Sequence, residues 1–101
     1  MSHEAFLLTV NAPPSLEEAL VDCLLSLEWS QGFTSFPANV HDHNQQGLSL
    51  AEQVAGHQRK IRFQMYVERQ NISALLTKLK ADFTGSGLHY WLVPAIEQGI
   101  I

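Results

Sequence analysis

"KIRFQMYVE", residues 60 to 68, alternates without a break: Ile61, Phe63, Met65 and Val67 fall on one side, Arg62, Gln64, Tyr66 and Glu68 on the other. Successive side chains of an extended chain point to opposite faces, so this period of two predicts a strand with one face on a core. Downstream, Asn71 is placed to cap a helix in which Ile72, Leu75, Leu76, Leu79 and Phe83 recur at the spacing of one helix face. "TGSG" (84–87) stops that helix, and "LHYWLVPAI" (88–96), apolar on both sides and carrying Pro94, reads as a last strand. Upstream, across a polar run, "QGFTSFPANV" (31–40) is strand-like, and its Pro37 cannot donate to a ladder, which suits an edge. "EAFLLTV" (4–10) reads as a buried strand ended by the turn residues "NAPPS". Between them, Ser15 and Glu18 have the spacing of a capping box, and Leu16, Leu20, Cys23, Leu24 and Leu27 form the apolar stripe of a first helix. Cys23 within that stripe reads as a small buried apolar residue.

The order β-α-β-β-α-β predicts an α+β, ferredoxin-like two-layer sandwich: a four-stranded antiparallel sheet of order 4-1-3-2 with two helices on one face. The prolines test this independently, since Pro37 and Pro94 fall in the two edge strands and the inner strands have none. Two helices cover one sheet face only, yet Ala5, Leu7, His89, Trp91 and Val93 supply apolar and aromatic groups to the other. A contiguous apolar patch of that kind predicts an oligomer that buries the open face.

At 101 residues and 46% hydrophobic residues, the chain is expected to form one domain over residues 1–101. A net charge of -4 with six Lys and Arg gives no extended basic surface, which argues against nucleic acid as a partner. The single cysteine makes no intrachain disulfide, and "MSHEAFLLTV" reads neither as a signal peptide nor as a membrane span. A cytoplasmic protein with no membrane insertion is the expectation.

With "FTGSGLHYWLVPAIEQGI" (83–100) closing this element order, the chain resembles the trimeric PII-like signalling superfamily, and specifically a short branch of it. It is also similar to the trimeric divalent-cation tolerance proteins. The resemblance implies a homotrimer that packs its open sheet faces together, and a recognition loop at about 41–58 that touches a regulated protein such as a membrane transporter. Two departures bear on function. Nitrogen-regulating members carry a modifiable tyrosine in that loop, whereas Tyr66 and Tyr90 here lie in strands. Those members also bind nucleotide with a lysine just after the glycine-rich turn, where this chain has Leu88 and His89. The amides of Gly85, Ser86 and Gly87 can still cradle a phosphate, although a bare G-x-G serves equally as a helix stop, and a nucleotide is the less favoured ligand.

The polar connection carries three of the five histidines. His41 and His43 are two residues apart and share a face if the strand extends that far; His57 enters from the other end, and Asp42 can orient a ligand. Together His41, His43 and His57 suggest a copper or zinc site, although histidines are common on solvated loops and no established zinc spacing is present. Such a site weakens below about pH 6.5, because imidazole binds metal only when neutral.

These observations lead to a non-enzymatic sensor of a small ligand or metal, signalling to a partner protein through the 41–58 loop. The first alternative is a metal-tolerance protein using the loop histidines. The second is a small ferredoxin-like oxygenase-type enzyme with a pocket near His89 and Trp91, for which no nucleophile or general base stands out.

Overall fold

A computed structural model describes residues 4–41 and 57–101. Along the chain run β1 (Ala5–Ala12), a single 3-10 turn (Pro14–Leu16), α1 (Glu17–Leu25), β2 (Thr34–Val40), β3 (Gln58–Glu68), α2 (Arg69–Phe83) and β4 (His89–Ala95). The strands form one antiparallel sheet of order β2-β3-β1-β4, which is 4-1-3-2 read from the other edge. Pro37 and Pro94 stand on its two edges, facing Ile61 and Phe6. Among the described residues, no helix is long and apolar enough to cross a membrane.

The alternation that defines β3 decides which face is covered. Phe63, Met65 and Val67 meet Val10, Leu8 and Phe6 across the ladder, so both central strands turn the same side to the helices. Leu20 and Leu24 of α1 and Leu75 and Leu79 of α2 close over them, and all four are buried. Ile72, Leu76 and Phe83 complete the stripe of α2 as partly buried neighbours of this core. Phe33 meets Phe63 at 6.0 Å between ring centroids with a 44° tilt, within the range where aromatic pairs attract.

Both helix starts differ from the sequence expectation. Ser15 lies inside the 3-10 turn, and α1 begins at Glu17 with no side-chain cap. Pro14 begins the turn with its φ already fixed, and the Leu16 N–H donates to the Pro13 carbonyl at 2.9 Å, so proline geometry replaces the serine hydroxyl. Glu17 and Glu18 occupy the first turn of α1, where the macrodipole favours carboxylates. Asn71 lies within the first turn of α2, because β3 passes directly into the helix at Arg69. The Arg69 amide donates to the Glu4 carbonyl at 2.8 Å, so a tertiary bond takes the place of an asparagine cap. The guanidinium of Arg69 stands 5.0 Å from the Phe6 ring centroid. Finally, β1 runs on to Ala12 instead of turning at Asn11, since Arg62 and Ile61 of β3 extend its ladder.

Cys23 and Trp29 pack against the core as partly buried side chains. Burial pushes the Cys23 thiol up, partly offset by Lys78 and reinforced by Asp82. A raised thiol is protonated at neutral pH, so Cys23 is expected to react with iodoacetamide at pH 7.5 more slowly than free cysteine, and faster as pH rises. The stability that the neutral thiol contributes is complete below the unfolded pKa and is lost as pH rises through the folded one. Alkylation as fast as for free cysteine would contradict this placement.

Candidate functional site

Three regions of the fold gather polar or apolar groups beyond what the core requires. The first is the ribbon formed by β2 and β3. β1 ends at Ala12 opposite Ile61, but the pairs Ala38–Lys60, Asn39–Arg59 and Val40–Gln58 continue past that point as two strands alone. At the end of this ribbon the rings of His41 and His57 lie 5.3 Å apart between centroids, inclined at 51°. Strand pairing thus brings together two of the three histidines singled out from sequence, sixteen positions apart in the chain; His43 lies outside the described residues, as does Asp42. Among the described residues, no group of three or more His, Cys, Asp or Glu side chains is placed to hold a metal.

The second region is the open sheet face, which is graded rather than uniformly apolar. One cross-strand row is Tyr66–Leu7–Val93, next to Ala5–Ala95. Tyr66 and Val93 are 51% and 43% exposed, so this end is an uncovered apolar patch. The next rows are Gln64–Thr9–Trp91 and Arg62–Asn11–His89. Here Gln64 Nε2 donates to Thr9 Oγ1 at 3.4 Å and Arg62 Nε donates to Asn11 Oδ1 at 2.8 Å. The Arg62 guanidinium also lies 5.4 Å from the Trp91 ring centroid, and Trp91 lies 5.1 Å from His89. Thr9 and Asn11 are buried with partners, which satisfies two groups that would otherwise destabilise the sheet. From sequence, Asn11 falls in a turn and Arg62 on the side of its strand opposite the core. The period-two pattern held the only available signal for Arg62, and it carries no information on which strand lies opposite.

The third region joins the end of α2 to β4. Gly85 and Gly87 have φ of 76° and 83°, the left-handed region in which a side chain is strained. The Ser86 N–H donates to the Phe83 carbonyl at 3.1 Å, and its hydroxyl donates to the same oxygen at 2.5 Å. The Thr84 hydroxyl donates to the Lys80 carbonyl. These bonds satisfy carbonyls that the helix end leaves without partners, so Ser86 spends its amide on the helix stop. Of the three amides singled out from sequence, those of Gly85 and Gly87 have no acceptor among the described residues. Beside this turn lies a half-open cavity of 140 Å³ lined by Val10, Leu76, Leu79, Phe83, Lys80 and Tyr90 among others. A larger depression of 470 Å³ beside Gly32, Thr34 and Tyr66 is an open surface groove.

The family described as "Protein of unknown function (DUF3240)" matches residues 1–101. No curated protein matches the chain. Among solved structures, a DUF3240 family protein from Shewanella baltica OS155 has a TM-score of 0.81 at 23% identity, covering 100% of this chain and 99% of that one. Arabidopsis thaliana PII bound to citrate has a TM-score of 0.68 at 10% identity, over 93% of this chain and 79% of that one. The periplasmic divalent cation tolerance protein CutA from Archaeoglobus fulgidus has a TM-score of 0.68 at 13% identity, over 95% and 87%. The fold is therefore the PII-like, ferredoxin-like one, related to that of the cation tolerance proteins.

Proposed function

We propose that this chain, which belongs to the DUF3240 family across residues 1–101, is a non-enzymatic PII-like regulator: it binds a small ligand or metal and signals to a partner protein through the 41–58 connection. The observation that carries this reading is the ribbon. Extending two strands past the sheet costs order without enlarging the core, and it carries His41 and His57, the two described ends of the connection, beyond the end of β1. The uncovered row Tyr66–Leu7–Val93 supports a homotrimer closed over the open sheet face, with the exposed Ile100 and Ile101 available to a neighbouring subunit. A cytoplasmic setting, with a membrane transporter among the candidate partners, belongs to the same reading.

A ligand shifts such a switch only if it binds one loop state more tightly than the other. Limited proteolysis and hydrogen exchange over 41–58 test this directly. Protection or exposure that changes when ligand or partner is added supports the regulator, and indifference to every addition removes its basis.

One observation favours a metal as the effector, which is also the metal-tolerance alternative. Two imidazoles bound to one tetrahedral ion, each nitrogen about 2.0–2.1 Å from it, place their ring centroids about 5 Å apart. The His41–His57 separation of 5.3 Å is close to that. Calorimetric titration of the reduced protein at pH 7.5 with zinc and then copper(I) is expected to give saturable binding that His41→Ala/His43→Ala and His57→Ala each weaken at least tenfold. Unchanged affinity in both variants would return these residues to the status of surface histidines. A phosphate at the Gly85–Gly87 turn is the less supported ligand, since Ser86 spends its amide on Phe83 and Lys80 is the one cation lining the adjoining cavity.

A further inference from the structure

We propose that the cavity beside the C-terminal end of α2 is a binding site for a small carboxylic acid with an apolar body, of the size of a benzoate ion. The site is distinct from the ribbon, and it stands or falls separately from the regulator reading.

Size and lining set the body of the ligand. A cavity of 140 Å³ is comparable with an engineered apolar cavity of about 150 Å³ that holds benzene. Its floor is the buried Val10, and Leu76, Leu79, Phe83 and Leu88 supply walls without a polar atom in their side chains. An apolar ring or short chain there loses water on the sides that meet these residues and gains close contacts.

Charge at the rim sets the other end of the ligand. Lys80 lines the cavity, and among the described residues no carboxylate pairs with it. Gly85 and Gly87 line the same rim, and their amides have no acceptor among the described residues. The end of a helix repels an anion through its exposed carbonyls. Here the Thr84 and Ser86 hydroxyls already donate to the Lys80 and Phe83 carbonyls, which reduces that repulsion. Both hydroxyls have thereby given up their protons, so donation to the polar end falls chiefly to an ammonium and two amides, with the Tyr90 phenol also lining the cavity. A neutral alcohol leaves the ammonium charge uncompensated, and inorganic phosphate brings no body to fill the apolar space. A carboxylate on a small apolar group satisfies both.

The test titrates the full chain with benzoate, benzyl alcohol and inorganic phosphate while following the Gly85 and Gly87 amide resonances. Saturable benzoate binding that shifts these amides is expected, with benzyl alcohol roughly tenfold weaker. Lys80 is exposed, so Lys80→Met should fold normally; it is expected to weaken benzoate roughly tenfold and leave benzyl alcohol unchanged. Leu76→Trp, which fills the cavity, is expected to abolish both. The proposal is overturned by the absence of saturable benzoate binding, by equal affinity for the alcohol, by indifference to Lys80→Met, or by phosphate displacing benzoate at equal concentration.

Discussion

Phe63→Ala is expected to destabilise the domain by about 3–5 kcal/mol, the cost of deleting a buried aromatic side chain and leaving a partly collapsed void. Phe63 is 1% exposed, meets Val10 and Ser35 across the ladders on either side, and packs its ring on Phe33. A domain of this size is stable by only about 5–15 kcal/mol, so the variant should unfold at a much lower urea concentration. Leu25→Ala is the matched control. Leu25 lies in α1 but is 69% exposed, and its truncation should change stability by no more than about 0.5 kcal/mol. Equal losses in the two variants would mean that the helix-covered side of β3 is not the main core.

Leu7→Glu is expected to turn the proposed trimer into a monomer while the far-ultraviolet circular dichroism stays unchanged. Leu7 stands at the middle of the Tyr66–Leu7–Val93 row, on the sheet face that the helices leave open. In a separated subunit a carboxylate there meets water and costs little. In a closed assembly it would lie desolvated beside its symmetry copies, at several kcal/mol for each subunit. Sedimentation equilibrium of wild type and variant decides the matter. A wild-type trimer that survives the substitution would place the subunit contact elsewhere, and a wild-type dimer would remove the trimeric reading.

Phe63 and Leu7 lie on opposite sides of one strand pair, and the two sides are not equally legible in the sequence. The covered side was plain in "KIRFQMYVE", because burial selects Ile61, Phe63, Met65 and Val67 at every second position and the period survives in the sequence. From sequence the open side reads as apolar and aromatic through Ala5, Leu7, His89, Trp91 and Val93. Half of it is a polar network in which Asn11 and Arg62, fifty-one positions apart, form a 2.8 Å hydrogen bond. Nothing local marks such a pair, since each residue alone fits an exposed strand or a turn. The helix starts were misplaced for a related reason. Ser15 and Asn71 are good local caps, but the paired prolines at 13 and 14 and the Arg69–Glu4 bond offered stronger ways to begin each helix.

The same division runs through the candidate sites. His41, His43 and His57 stood out by composition, and Gly85, Ser86 and Gly87 by their turn chemistry. The 5.3 Å approach of His41 to His57 follows from the register Val40–Gln58, and the cavity at Lys80 is lined jointly by the end of α2, β1 and β4. The element order, the covered face and the edge strands are legible in the residues alone, because side-chain periodicity and proline's missing N–H act on neighbours along the chain. Which polar groups on the open face are partners, which histidines meet and where space remains beside a lysine emerge when the chain folds. Those outcomes depend on register and on the fit of helix to sheet, which are set by contacts between residues distant in the chain.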